Sequence, residues 1–112
     1  MIKRGEIYWV NLDPTIGSEI RKTRPALIVS NDINNVHAQT VTLLPLSSSV
    51  DKVYPFEVLI KPRAAGNKEV CKVKANQIRT VDKKRLGKIM GMLPGFLMLE
   101  VEEAMRLHLG LN

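Results

Sequence analysis

Short runs of apolar residues, separated by turn residues, fill the first two-thirds of the chain. The clearest run is ALIVS at residues 26–30, where apolar side chains at successive positions predict a strand buried on both faces. Runs of similar length, rich in β-branched and aromatic residues, predict further strands at 7–12, 41–46, 56–60 and 69–75. Short strands at this spacing indicate a small barrel or rolled sheet rather than a parallel α/β fold.

The apolar period becomes helical in the last third of the chain. Residues 82–90 predict a short helix with Asp82 as its N-cap. A longer helix is predicted to begin around Pro94 and to run to His108, with Gly110 as its stop signal. Helical spacing places five residues on its buried face: Leu97, Val101, Ala104, Met105 and His108. The chain is therefore predicted to be mainly β with C-terminal helices.

Size and charge restrict the classes of protein that this chain can represent. Its 112 residues contain no internal repeat or linker, which predicts a single domain over residues 1–112. The 17 lysine and arginine residues exceed the 11 acidic residues and give a net charge of +6. Such an excess favours polyanionic partners, because each neutralised phosphate releases counterions. A basic domain without a nucleic-acid partner is equally compatible with the charge alone.

Several classes of site and location are not indicated by the sequence. Cys71 is the single cysteine, so neither an intrachain disulfide nor a cysteine pair for zinc can form. His37 and His108 lie far apart and match no metal-ligand spacing, so we expect no metal and no cofactor. No segment has the apolar length of a signal peptide or a membrane span. We therefore expect a cytoplasmic protein that does not bind membranes.

The polar connection between the first two predicted strands, residues 13–25, collects side chains that could carry chemistry. Arg24 stands directly before Pro25 and the buried strand, whereas Arg21 and Lys22 lie farther out in what we predict to be a mobile loop. A planar guanidinium with five donors suits a phosphoryl group that gains charge in a transition state. The alternative is that residues 13–25 form only a solvated charged turn.

Five blocks of the chain, in this order, resemble the MazF/PemK toxin family. The blocks are RGEIYWVNLDPTIGSE, TRPALIVSND, LPLSSS, YPFEV and NQIRTVD, followed by an acidic amphipathic helix, and they extend from about Lys3 to Leu109. The resemblance implies an SH3-like barrel of the MazF/PemK/CcdB type with five to seven strands, usually in a symmetric homodimer. It also implies sequence-specific cleavage of single-stranded RNA, mRNA included, and inhibition by a cognate antitoxin.

The resemblance also implies catalytic residues. Arg24 matches the arginine of the family's RP dipeptide, and Ser47 matches a catalytic hydroxyl that is commonly threonine. Because serine lacks the methyl group that restricts the threonine rotamer, the choice among Ser47, Ser48 and Ser49 stays open. Glu19, in the block GSE, matches a residue that lines the RNA groove.

Further RNA contacts are expected from the first connection and from VKANQIRTVD, which is similar to the family's second RNA-contacting block. The complete predicted RNA-binding set is Glu19, Arg21, Lys22, Thr23, Ser48, Lys74, Asn76, Gln77 and Arg79. Gln77 and Arg79 match recurrent family residues that serve either the fold or the groove. Asn76 stands where some relatives place an acidic residue, and since Asn76 cannot titrate, that acid–base pairing cannot operate here.

The reaction that the resemblance implies needs no metal. The RNA 2′-hydroxyl attacks the adjacent phosphorus and leaves a 2′,3′-cyclic phosphate and a 5′-hydroxyl. A guanidinium keeps its proton to about pH 12 and above, so Arg24 is a poor base and is predicted to stabilise the pentavalent phosphorane. Ser47 would bind the phosphate or orient the attacking hydroxyl. The general base stays open, with Glu19 as one candidate.

Strand alternation and one aromatic residue give further expectations. In EVCKVKA, alternation places Cys71 and Val73 towards the core. It places Lys72 and Lys74 on a basic ledge that either follows a phosphate backbone or is simply solvated. Trp9 is expected in the core or in a dimer interface.

Two other functions fit the same barrel. One is a CcdB-like poison that binds DNA gyrase without cleaving anything, and the other is a catalytically silent relative that binds RNA or antitoxin. The Arg24-Pro25 dipeptide and the Ser47 region match the nuclease branch.

Overall fold

Seven antiparallel strands and two helices make up the computed structural model, which describes all 112 residues. The strands are β1 (Glu6–Asn11), β2 (Thr23–Ile28), β3 (Thr40–Ser47), β4 (Glu57–Ile60), β5 (Cys71–Lys74), β6 (Arg79–Asp82) and β7 (Leu86–Met92). The helices are α1 (Asp32–His37) and α2 (Gly95–Leu109). The strand order is β4-β5-β3-β2-β1-β7, with β6 also paired to β3. The prediction of a mainly β fold is confirmed, although the C-terminal region holds one α-helix rather than two.

Strand β3 links the two parts of the rolled sheet. One edge of β3 pairs with β2, and the other edge pairs with β6 and then with β5. Leu43 faces Arg79, whereas Leu46 faces Val73, so the partner strand contains extra residues between these two pairs. The 3-10 turn Ala75–Gln77 accommodates them and separates β5 from β6. The end of β3, with Ser47, therefore belongs to a different part of the sheet from its beginning.

The core has two parts, one on each face of the central strands. Leu27 and Leu44 point towards the part that α2 covers, together with Val101 of the helix. Their neighbours Ile28 and Leu43 point into the second part. Because side chains alternate along a strand, burial on both faces requires the uninterrupted apolar runs found in β2 and β3.

Helix α2 confirms most of the long predicted helix. Gly110 ends it in the left-handed conformation with φ of 69°, which glycine adopts without a Cβ clash. Leu97, Val101 and Ala104 are buried, and Met105 packs partly against the core. His108 is exposed and its ring lies 6.3 Å from that of Phe56, so its predicted place on the buried face was wrong.

The short helix predicted over residues 82–90 was wrong. The Asp82 side chain does accept a hydrogen bond from the Lys84 amide, but the turn that it caps is only the 3-10 turn Lys83–Arg85. The chain then continues as β7 and pairs with β1. Two glycines, Gly87 and Gly91, disfavour a helix here, and β1 gains backbone partners along its free edge.

Two elements were missing from the sequence-based prediction. Strand β6 is short and half polar, which gives it no distinct apolar run. Helix α1 has only six residues, and the Asn31 side chain caps it by accepting a hydrogen bond from the Asn34 amide at 2.8 Å. His37, at the end of α1, is exposed.

Candidate active site

A cleft of about 810 Å³ opens beside β2 and the end of β3. One wall, here called the strand wall, carries the side chains of residues 22–25 and 46–48. A second wall consists mainly of residues 66–71, and Trp9, Ile89 and Met90 complete the cleft. The cleft thus brings together both predicted catalytic residues and three of the predicted RNA-binding residues: Lys22, Thr23 and Ser48.

Arg24 lies in β2 opposite Val10 and is part of the strand, not of the connection before it as predicted. Thr23 is also part of this strand, which begins three residues before the apolar run that predicted it. The Arg24 Nε donates a hydrogen bond to the Arg21 carbonyl at 2.8 Å, whereas its Nη1 and Nη2 have no partner within the protein. The guanidinium is therefore held at one nitrogen and presents two others to a ligand.

Ser47 is the last residue of β3 and pairs with Lys72 of β5. Its relative exposure is 9%, and its Oγ accepts a hydrogen bond from the Ser49 amide at 3.1 Å. The hydroxyl proton is free to be donated into the cleft. Ser48 is exposed and lines the same cleft, while Ser49 does not line it. Among the three serines, Ser47 has the most restricted environment.

The remaining predicted RNA-binding residues lie outside this cleft. They are Glu19, Arg21, Lys74, Asn76, Gln77 and Arg79. The Glu19 Oε1 accepts a hydrogen bond from the Ile16 amide at 2.6 Å, so this carboxylate closes a turn of its own loop.

Gln77 and Arg79 secure the connection between β1 and β2. The Gln77 Oε1 accepts a hydrogen bond from the Ile20 amide at 3.2 Å, and the Arg79 Nη1 donates one to the Leu12 carbonyl at 3.0 Å. Of the two roles left open for these residues, these contacts support the role in the fold. They tie the long polar connection to the 3-10 turn and to β6.

Lys72 does not lie on an exposed basic ledge, so the predicted ledge is wrong at this residue for both of its interpretations. Its ammonium is buried, lies 2.9 Å from the Glu57 Oε1 and also donates to the Lys52 carbonyl at 2.8 Å. The Lys74 ammonium lies 3.3 Å from the Glu57 Oε2. Burial alone would raise the pKa of the Glu57 carboxyl, but hydrogen bonds from the Tyr54 amide and the two lysines outweigh it and lower that pKa.

Cys71 and Trp9 also line the cleft. Cys71 packs against the core as predicted, and burial raises the pKa of its thiol, which opposes a nucleophilic role. Trp9 is 42% exposed and lines the cleft, so it does not lie in the core, while its alternative place in a dimer interface stays a prediction. It shares a strand face with Ile7 but lies farther along β1, where the cleft opens.

Sequence reasoning missed the second wall of the cleft. Gly66, Asn67, Lys68 and Glu69 belong to the connection between β4 and β5, whereas the predicted strand began at Glu69. The Gly-Asn pair at residues 66–67 is a sequence signal for a turn, because both residue types favour turn conformations. In the sequence, however, nothing indicates that this loop faces Arg24.

No group of three or more His, Cys, Asp or Glu side chains has the arrangement of a metal site. Neither helix is long and apolar enough to cross a membrane.

Comparison with known proteins supports a common family. Residues 3–109 match the model of the PemK-like, MazF-like toxins of type II toxin-antitoxin systems. The chain is 40% identical to endoribonuclease MazF9 of Mycobacterium tuberculosis, over 99% of this chain and 98% of that relative. It is 33% identical to endoribonuclease EndoA of Bacillus subtilis, over 99% of this chain and 97% of that relative.

Solved structures show the same fold. MazF from Deinococcus radiodurans superimposes with a TM-score of 0.85 at 29% identity, covering 98% of this chain and 97% of that one. An endoribonuclease from a mycobacterial species, solved in complex with its cognate antitoxin, gives a TM-score of 0.83 at 27% identity, covering 100% and 98%. The chain belongs to the family of PemK-like, MazF-like toxins of type II toxin-antitoxin systems.

Proposed function

We propose that this chain is a sequence-specific endoribonuclease toxin that cleaves single-stranded RNA, including mRNA. The observation that carries the proposal is the convergence of a guanidinium, Arg24, and a buried hydroxyl, Ser47, in one cleft. Relatives that are 33% to 40% identical over nearly the whole chain are named endoribonucleases, which supports the same activity. These names favour a nuclease over a gyrase-binding poison or a silent relative.

The proposed reaction uses the substrate's own nucleophile. The ribose 2′-oxygen forms a bond to the adjacent phosphorus, and its proton passes to a base. The bond from phosphorus to the 5′-oxygen breaks, and that oxygen takes up a proton. The products are a 2′,3′-cyclic phosphate and a 5′-hydroxyl. Because the nucleophile is intramolecular and cationic donors can stabilise the transition state, we propose that no metal is required.

Arg24 is proposed to bind the phosphoryl group through its two free nitrogens. The hydrogen bond from Nε to the Arg21 carbonyl orients the guanidinium plane before the substrate arrives. Charge on the equatorial oxygens increases as the phosphorane forms, so a preorganised cation stabilises this state more than the ground state. Arg24 can also donate towards the leaving 5′-oxygen.

Ser47 is proposed to donate its hydroxyl proton to a phosphate oxygen or to orient the attacking 2′-hydroxyl. The hydrogen bond that its Oγ accepts from the Ser49 amide restricts the side chain to few rotamers. Glu19 stays a candidate for the base only if its loop moves, since its carboxylate accepts a hydrogen bond from the Ile16 amide within that loop.

An RNA strand that passes through the cleft would extend beyond it in both directions. We propose that Lys22, Thr23 and Ser48 bind the nucleotides next to the cut, because all three line the cleft. The outlying set consists of Glu19, Arg21, Lys74, Asn76, Gln77 and Arg79. We propose that it binds more distant nucleotides or holds the loops that do so.

Two protein partners are proposed. One is a cognate antitoxin, by analogy with the mycobacterial endoribonuclease solved with its own antitoxin. The other is a second copy of the chain, since α2 and the C-terminus expose a group of large apolar side chains. These are Phe96, Leu99, Leu107, Leu109 and Leu111. The mRNA substrate would place the protein in the cytoplasm.

One assay tests the activity and the metal requirement together. The purified protein is incubated with mixed-sequence single-stranded RNA in EDTA, and the fragment ends are mapped. We expect discrete fragments with 5′-hydroxyl and 2′,3′-cyclic phosphate ends. Cleavage only with an added divalent metal would overturn metal independence. Intact RNA together with inhibition of DNA gyrase would favour the gyrase-binding alternative.

A further inference from the structure

The loop of residues 61–70, which supplies most of the second wall of the cleft, contains no helix or strand but is held in one conformation by its own contacts. It connects β4 to β5, and its residues 66–69 face the cleft that contains Arg24 and Ser47. The role argued for this loop is binding of the RNA substrate, and it rests on the proposed ribonuclease function.

A single side chain holds the loop in shape from within. Asn67 is 5% exposed, and its Oδ1 accepts a hydrogen bond from the Ala65 amide at 3.0 Å. Its Nδ2 donates to the Lys61 carbonyl at 3.0 Å and to the Glu69 carbonyl at 2.8 Å. One amide group thus connects the beginning, middle and end of the loop.

The loop is also in direct backbone contact with β7. A Cβ on Gly91 of β7 would lie 2.0 Å from the Ala65 carbonyl oxygen. A Cβ on Gly66, where φ is 86°, would lie 2.6 Å from the Met90 carbonyl oxygen. Two glycines therefore allow a separation that no other residue type permits, and the loop is fixed against a strand.

This rigid loop presents two unpaired charges. Lys68 and Glu69 are exposed, and neither side chain forms an ion pair or a hydrogen bond within the protein. Both line the cleft, and both also line an adjoining cavity of about 470 Å³ that includes Arg63. A cation and a carboxylate on a rigid support are well placed to bind a ligand, because little conformational entropy is lost in the backbone.

We propose that this loop is the substrate-selecting wall of the cleft, with Lys68 binding an RNA phosphate and Glu69 binding a base edge. A lysine ammonium binds phosphate as a compact charge without demanding one geometry. A carboxylate repels phosphates but accepts a hydrogen bond from the exocyclic amino group of a base. Glu69 therefore favours an amino-bearing base at one position beside the cut, while Arg24 and Ser47 act on the reacting phosphate.

The role of Lys68 is tested by the salt dependence of RNA binding. Fluorescence anisotropy is measured with single-stranded RNA whose riboses are 2′-O-methylated and hence cannot be cleaved. Each phosphate contact with a single strand contributes about 0.7 to the slope of log affinity against log salt concentration. We expect Lys68→Ala to reduce the slope by about that amount. The matched control is Lys61→Ala. Lys61 is an exposed lysine of the same loop, but it lines neither the cleft nor the adjoining cavity.

The role of Glu69 is tested by sequencing the fragments that each variant releases from a mixed-sequence RNA. We expect Glu69→Ala to reduce the preference for an amino-bearing base at one position at least about fivefold, which is the lower end for loss of one base contact. Glu100→Ala is the control, since it removes an exposed carboxylate that does not line the cleft.

The outcomes separate the two proposals. If the wild-type protein cleaves no RNA, the ribonuclease function fails, while the anisotropy slopes still decide whether Lys68 binds phosphate. If the wild-type protein cleaves RNA, two results would each overturn the role of this loop. One is an equal salt slope for Lys68→Ala and Lys61→Ala, and the other is an unchanged cleavage pattern for Glu69→Ala.

Discussion

The two walls of the cleft are rigid for different physical reasons. The strand wall places Arg24 on β2, where it pairs with Val10 of β1, and Ser47 on β3, where it pairs with Lys72 of β5. The loop wall, residues 61–70, has no ladder and depends on the buried side chain of Asn67 and on two glycine contacts with β7. A ladder spreads its support over many groups, so single changes on the strand wall should affect chemistry more than shape. On the loop wall, changes at Asn67 or at the glycine contacts with β7 should affect the conformation of the loop more than the chemistry.

The largest expected effect is on the strand wall, at Arg24. Arg24→Ala removes the proposed donor to the phosphorane, and loss of one such group typically costs about 100- to 1000-fold in rate. The backbone of β2 is unaffected, so the free energy of unfolding should change by less than about 1 kcal/mol, as for surface changes in general. Single-turnover cleavage and urea denaturation measure the two quantities. Cleavage retained within about tenfold by the purified variant would contradict the assignment.

Arg21→Ala is the matched control for this experiment. Arg21 is exposed, lies outside the cleft and supplies only its backbone carbonyl to Arg24. Alanine keeps that carbonyl. We therefore expect Arg21→Ala to weaken RNA binding without the large loss in single-turnover rate. This result would distinguish the effect of positive charge in the β1–β2 connection on binding from the effect of Arg24 on the chemical step.

The second prediction concerns the contact between the loop wall and β7. Gly91→Ala places a Cβ against the Ala65 carbonyl, and since both partners are backbone, the loop or the strand must move. Overpacking of this kind costs about 1–3 kcal/mol in the free energy of unfolding. Gly87→Ala, in the same strand, is the control, because its Cβ would come no closer than 3.3 Å to the Trp9 carbonyl. Equal urea midpoints for the two variants would show that the loop is not held by β7.

The two buried strands that carry the strand wall, β2 and β3, were predicted correctly because their signals are local. The apolar run in ALIVS indicates a buried strand, and the Arg24-Pro25 dipeptide before it marks the catalytic candidate. The start of β2 was still misplaced by three residues, since Thr23 and Arg24 are polar and gain their strand conformation from pairing with β1. Tertiary pairing, rather than intrinsic preference, sets that boundary.

The prediction failed where the determining contacts are distant in sequence. Residues 82–90 showed a helical period, but Gly91 packs against Ala65, and β1 offers a free edge for β7. The prediction of a basic ledge was wrong at Lys72, because its ammonium forms a buried ion pair with Glu57 of the neighbouring strand. The loop wall depends on contacts between residues 61–70 and β7, and a pattern read along the chain cannot reveal them.

A third effect is expected at Asn67, whose side chain holds the loop wall in its conformation. Asn67→Ala removes hydrogen bonds to three backbone groups. Each buried group that stays unpaired lowers the free energy of unfolding by about 1–3 kcal/mol. Under folded conditions, kcat/KM should fall because Lys68 and Glu69 lose their fixed positions. Asn35→Ala is the control, since Asn35 is also buried and hydrogen-bonded but does not line the cleft. Similar losses of kcat/KM in both variants would indicate general destabilisation only.

The smallest expected effect is a pH dependence at the end of the strand wall. Lys72 pairs with Ser47 in the ladder and holds Glu57, whose carboxyl has a pKa below its ordinary value in the folded protein. A carboxyl with a lowered pKa contributes stability above its unfolded pKa, and this contribution is lost as the pH falls through the folded value. Wild-type stability should therefore decrease below about pH 4.5, the ordinary range for glutamate.

Glu57→Gln tests this assignment, because it keeps the shape of the side chain but cannot titrate. The variant should be less stable than the wild type at neutral pH, since two lysines lose their counter-charge, and the difference should narrow as the pH falls. Urea denaturation from pH 7 to pH 3 measures the two curves. Parallel curves would show that Glu57 does not carry the acid sensitivity. A cleavage rate at neutral pH that stays unchanged would show that the buried pair supports the fold but does not position Ser47.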